Sequence, residues 1–222
     1  MFQEIPKEKP QTPVLDLIKS PRDIQTLSPS ELETLADEIR GFLLYTIGKT
    51  GGHLGAGLGV VELTISLLKV FNLEKDKIVW DVGHQSYPYK ILTGRKDYMR
   101  LLRKPNGIAP FPSIEESRYD SFGTGHSSTS ISAALGLRLA TPKDTEENSI
   151  ISVIGDGALT AGIAFEALNH AANLKPNLLI IINDNAMSIS KNVGGITNYL
   201  PDKPIAPGQD NDWNKKSENF SK

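Results

Sequence analysis

Ser149-Ile150-Ile151-Ser152-Val153-Ile154-Gly155-Asp156-Gly157-Ala158 and Leu178-Leu179-Ile180-Ile181-Ile182-Asn183-Asp184-Asn185 decide the fold. Ser149 to Ile154 and Leu178 to Ile182 are apolar runs without alternation, the pattern of strands covered on both faces. Between them, Thr160 to Leu174 reads as a helix. Strand, helix and strand over about 35 residues make a βαβ unit, whose crossover is right-handed. The fold class predicted is α/β, an open, mostly parallel sheet flanked by helices.

Working outward, Gly123-Thr124-Gly125-His126-Ser127-Ser128 is a glycine turn opening a small-residue helix from Thr129 to Ala140. Residues 103–122 hold three prolines and mixed charges, and read as a surface excursion. Ile78-Val79-Trp80 is a short strand that stops at Asp81, followed by the turn Val82-Gly83-His84 and a short helix near Tyr89 to Leu92. Another glycine turn, His53 to Gly59, leads into a helix from Val60 to Phe71. Before it lies a strong helix, with Ser28 as cap, Pro29 in the first turn and Glu31 closing a capping box. Its stripe of Leu32, Leu35, Ala36, Ile39, Phe42, Leu43 and Ile47 has helical spacing, and Thr50-Gly51-Gly52 ends it. Prolines at 6, 10 and 13 oppose regular structure at the start. The division expected is an arm over 1–27, a domain over 28–199 and a polar tail over 200–222. That tail has almost nothing to bury and reads as disordered.

Composition narrows the function. The 222 residues carry 24 Lys+Arg against 26 Asp+Glu, which offers no electrostatic case for nucleic acid or an anionic membrane. Cysteine is absent, so disulfides, thiolate metal sites and cysteine nucleophiles are excluded. MFQEIPKEKP has no apolar segment behind a basic start, and no apolar run is long enough to span a bilayer. The location expected is cytoplasmic.

In open α/β sheets, ligands sit beyond the carboxyl ends of the strands, where helix N-termini present free amides to anions. Gly155-Asp156-Gly157 puts a carboxylate at such an end, between glycines that allow close backbone approach. Asn185 follows about thirty residues later, just past the next strand. Either motif alone is ordinary turn chemistry. Flanking one crossover, a carboxylate and an amide oxygen suit a hard divalent cation that also grips phosphates, as magnesium does.

This pair of motifs resembles the fingerprint of thiamine diphosphate enzymes of the transketolase type. Thr50-Gly51-Gly52-His53-Leu54-Gly55, Asp81-Val82-Gly83-His84-Gln85-Ser86-Tyr87-Pro88, Gly125-His126-Ser127-Ser128 and Asn183-Asp184-Asn185-Ala186-Met187-Ser188-Ile189-Ser190 are similar, in order, to the 1-deoxy-D-xylulose-5-phosphate synthase family. The resemblance runs from about Thr12 to Tyr199. It implies the thiamine diphosphate-binding fold, with Mg2+ held by Asp156, Asn185 and the carbonyl of Met187. It implies that Gly157, Ala158 and Asn185 meet the diphosphate, and that His84, Gly125, His126 and Ser127 line the cofactor. His53 is then the proton-transfer group at the reacting carbon. The activity implied is a transferase condensing pyruvate with glyceraldehyde 3-phosphate, with loss of carbon dioxide, toward isoprenoid, thiamine and pyridoxal precursors.

The resemblance also implies an incomplete polypeptide, because the family's pyrimidine-binding domain has no counterpart here. The chain then works as a homo-oligomer or beside a pyrimidine-binding domain. Two alternatives stay open: an inactive interaction module, and the N-terminal subunit of a split enzyme. His170, inside a helix, reads as structural. Gly55-x-Gly57-x-Gly59 has the wrong last spacing and no preceding strand for a dinucleotide fingerprint.

Overall fold

The computed structural model describes residues 6–141 and 148–184. The polar tail, Asn185 and Met187 lie outside the described residues. In chain order the elements are α1 (Pro13–Leu17), α2 (Pro21–Ile24), α3 (Pro29–Thr50), α4 (Leu54–Leu58), α5 (Val61–Val70), β1 (Lys77–Asp81) and α6 (Tyr87–Lys90). An irregular helical run follows through Ile91–Arg95 and Lys96–Leu101, then α7 (Ser130–Ala140), β2 (Ile150–Gly155), α8 (Asp156–Leu159), α9 (Gly162–Leu174) and β3 (Leu179–Asn183).

The three strands form a parallel sheet in the order β1-β2-β3, flanked by helices. This is the open α/β architecture that the apolar runs imply. Register sets the strand ends side by side: Asp81 pairs with Ile154, and Gly155 with Asn183. One face of the sheet, with Ile78, Trp80, Ile151 and Val153, joins a large core shared with the first six helices. The other face packs Val79 and Ile150 against Ala134 of α7, while Ile154 meets Ile131, Leu159, Ala164 and Ala167. Ser152, a polar residue in this apolar strand, is buried and donates its hydroxyl to Ser130 Oγ of α7 at 2.8 Å.

Helix α3 begins as its sequence dictates. The Ser28 hydroxyl accepts the Glu31 amide, and the Glu31 carboxylate accepts the Ser28 amide at 2.8 Å. Its stripe of Leu35, Ala36, Ile39, Phe42, Leu43 and Ile47 is buried, and Gly51 ends it with φ 75°. Part of the segment assigned to the arm is folded onto this helix. Leu15, Ile18 and Ile24 are buried in the large core, and Glu38 of α3 accepts the Val14 and Leu15 amides at 3.2 and 2.7 Å. Lys69 of α5 donates to the carbonyls of Gln25 and Leu27, both at 2.7 Å. Tertiary contacts stabilise helical turns too short to stand alone.

Strand β3 is different. Leu179 and Ile182 are 43% and 44% exposed, and among the described residues the sheet ends there. On α9, Ile163 and Phe165 are also exposed. The central strand and the β3 edge therefore respond differently to truncation. Ile151→Ala, at a fully buried site, is expected to cost about 2–5 kcal/mol in denaturant unfolding. Ile182→Ala is expected to cost under about 1 kcal/mol.

Candidate functional site

The carboxyl ends of the three strands carry Asp81, Asp156 and Asp184 at or just beyond them. Asp81 is buried, and its carboxylate accepts the amides of Ser128 at 2.7 Å and Ser130 at 3.0 Å. The bond to Ser130 falls in the first turn of α7, where a negative charge also meets the positive end of the helix dipole. Ser128 passes the connection on, donating its hydroxyl to the Ala158 carbonyl at 2.6 Å. The turn after β1, the Gly125-His126-Ser127 turn and the Asp156-Gly157-Ala158 turn are thereby tied together.

The turn after β1 is locked internally as well. Gln85 donates through Nε2 to the Asp81 carbonyl at 2.5 Å and accepts the Gly83 amide at 3.1 Å. Gly83 has φ 96°, and a Cβ there would lie 2.1 Å from Thr124 Oγ1 and 2.6 Å from Pro112 Cδ. Only glycine fits that contact. It presses residues 112 and 124 onto the residue just before His84.

His53 and His84 are brought together edge to face, with ring centroids 5.4 Å apart. Phe111 stands 6.2 Å from the His53 ring. Arg103 Nη2 lies 2.9 Å from His53 Nδ1. A guanidinium has only donors, so Nδ1 accepts and the neutral ring carries its proton on Nε2. Burial, then the Arg103 charge, lowers the His53 pKa. Burial lowers that of His84, helped by His53 and opposed by Asp81. Both rings are favoured neutral.

The remaining candidates are placed as follows. Gly125 has φ 149°, while His126 and Ser127 are exposed beside α7. Asp156 is buried at the start of α8, with Gly157 and Ala158 half-buried behind it. No group of three or more His, Cys, Asp or Glu suited to a metal occurs among the described residues, and Asn185 and Met187 lie outside them. His170 is exposed on α9.

Arg103 and Phe111 sit in the proline-rich segment 103–122, where nothing in the sequence signals a contact with His53. Asp81 and Ser128 lie inside the glycine-turn motifs, but their bond joins residues far apart in the chain and has no sequence signal. Thr124 Oγ1 is buried and has no hydrogen-bond partner among the described residues, an uncompensated polar atom in the same glycine turn.

Glycine turns and polar side chains gathered at the carboxyl edge of a parallel sheet define the ligand-binding class of open α/β proteins. A family model described as 1-deoxy-D-xylulose-5-phosphate synthase matches residues 15–221. The chain belongs to this family. It is 62% identical over 199 residues to the 1-deoxy-D-xylulose-5-phosphate synthase of Pseudomonas entomophila, covering 90% of the chain and 32% of that relative. It is 60% identical over 199 residues to that of Ectopseudomonas mendocina, with the same coverage. The chain thus spans about a third of the length of the curated relatives it matches.

The histidines set a pH dependence. Their folded pKa values lie below the ordinary 6.5, so around and below that pH the unfolded chain binds more protons. Their contribution to stability is present above the unfolded value and is lost as pH falls toward the folded ones. Arg103→Met is expected to raise the His53 pKa toward the ordinary value, read from the imidazole proton shifts in an NMR titration. An unchanged curve would separate Arg103 from His53.

Proposed function

We propose that this chain is the magnesium- and diphosphate-binding part of a thiamine diphosphate-dependent transferase. By the family resemblance, the whole enzyme condenses pyruvate with glyceraldehyde 3-phosphate, releasing carbon dioxide. The observation that carries the reading is the bonded connection from Asp81 through Ser128 to Ala158. It joins at one sheet edge the three turns that the family uses for the cofactor. The residues present suit the group: a carboxylate beside glycines for a hard cation, half-buried turns for phosphates, and a buried hydroxyl of Thr124 still to be satisfied.

Asp156, with Asn185 and the Met187 carbonyl, would hold Mg2+. Gly157 and Ala158, with Asn185, would lie against the diphosphate. His84, Gly125, His126 and Ser127 would line the cofactor. When bound, thiamine diphosphate supplies the electron sink for removing carbon dioxide from pyruvate. His53, held neutral with its proton on Nε2, can donate to an oxygen that gains charge and take the proton back. Arg103 holds that tautomer.

Partners follow from the surface. Ile163 and Phe165 of α9 and Leu179 and Ile182 of β3 are exposed apolar side chains, which fits cover by a second copy or a pyrimidine-binding domain. No helix among the described residues is long and apolar enough to cross a membrane. The cytoplasm is the compartment proposed.

Calorimetry with thiamine diphosphate tests the reading. Binding is expected with magnesium, and to weaken roughly tenfold or more in Asp156→Ala or in chelator, the scale on which even supporting contacts affect metal sites. Equal binding by the folded variant and the parent chain would contradict it.

A further inference from the structure

Residues 103–125 cross the histidine pair without regular secondary structure, and four buried or half-buried charges hold them down. Lys90 and Arg95, from the helical run that follows β1, are buried beneath the segment. Glu116 and Asp120 reach them from above. Arg95 donates to both oxygens of Asp120 at 2.7 and 2.9 Å and to Glu116 at 2.9 Å, while Lys90 pairs with Glu116.

The same two carboxylates also accept backbone amides. Glu116 takes the Ala109 amide at 2.7 Å, and Asp120 takes the Ser113 amide at 2.8 Å. These amides bracket Pro110-Phe111-Pro112, whose prolines have no N–H to give. The tip of the strap is fixed on either side of Phe111 by acceptors anchored below.

The tip of the strap touches each histidine turn. Phe111 stands beside His53, and its ring would be 3.8 Å from a Cβ on Gly125. Pro112 presses on Gly83, next to His84, and its carbonyl accepts the Thr124 amide at 3.3 Å. A buried ion cluster is a costly way to gain stability alone, and apolar replacements often serve as well. Carboxylates can do here what apolar groups cannot: bind the floor and the strap amides at once.

We propose that Lys90, Arg95, Glu116 and Asp120 are positioning residues that set Phe111 and Pro112 as a wall over the His53–His84 pair. The proposal rests on reading those histidines as site residues. Its test is independent of cofactor binding.

The test is an NMR pH titration of His53 and His84 in the full chain, for the parent, Glu116→Gln and Phe111→Leu, with thermal melts alongside. Removing the negative charge of Glu116 would by itself lower a histidine pKa. A loosened strap exposes His53 to water and raises it. The positioning role therefore predicts an upward shift of His53 in Glu116→Gln, toward its ordinary value, and the same direction in Phe111→Leu with a smaller loss of melting temperature. A lower melting temperature with unmoved or downward-shifted histidines would overturn the proposal and leave the cluster holding only the fold. Should Glu116→Gln fail to fold, Phe111→Leu decides: an unmoved His53 curve overturns the wall.

Discussion

Asp81 keeps a buried carboxylate at the end of the first strand, and two backbone amides, from Ser128 and Ser130, answer it. Charge-assisted bonds of this kind are about twice as strong as neutral ones. Ser128 adopts φ 73°, a conformation that costs a non-glycine residue about 1–2 kcal/mol. Its amide and its hydroxyl are both committed, one to Asp81 and the other to the Ala158 carbonyl. The strain is maintained because relaxing it would break both bonds. The arrangement of the turns at the sheet edge depends on this one residue being held between the end of β1 and α8.

Two kinds of support meet at that edge. From below, parallel register brings Asp81 level with Ile154, and Gly155 level with Asn183, so the turns leave the sheet side by side. From above, the strap carrying Phe111 and Pro112 closes over His53 and His84. Burial disfavours Lys90 as an ion, and Glu116 partly offsets this. Burial also opposes the charge of Arg95, but Asp120 and Glu116 outweigh it and raise its pKa. Pairing thus favours the charged form of Arg95 at a buried place that disfavours an unpaired charge. On β3, Leu179 and Ile182 are exposed, unlike the buried side chains of β2.

The apolar runs of β2 and β3 needed no structure to be read, because strands buried on both faces leave a sequence without alternation. The capping box of α3 was equally plain. The small helices α1 and α2 were hidden, because four or five residues carry too little periodicity and their burial depends on Glu38 and Lys69. The glycine turns mark candidate site residues but not how they meet. Arg103 contacts His53 across fifty residues of chain. Glu116 and Asp120 lie in a polar, proline-rich stretch, so they read as solvated charges. Only the buried cations beneath show why they are there.

Backbone amide NMR during titration with magnesium and thiamine diphosphate tests the central claim most directly. Perturbed signals are expected to concentrate in residues 82–86, 123–128, 155–160 and 183–187, with magnesium needed for the second pair. Binding spread evenly over the surface, or centred away from the carboxyl edge of the sheet, would contradict it.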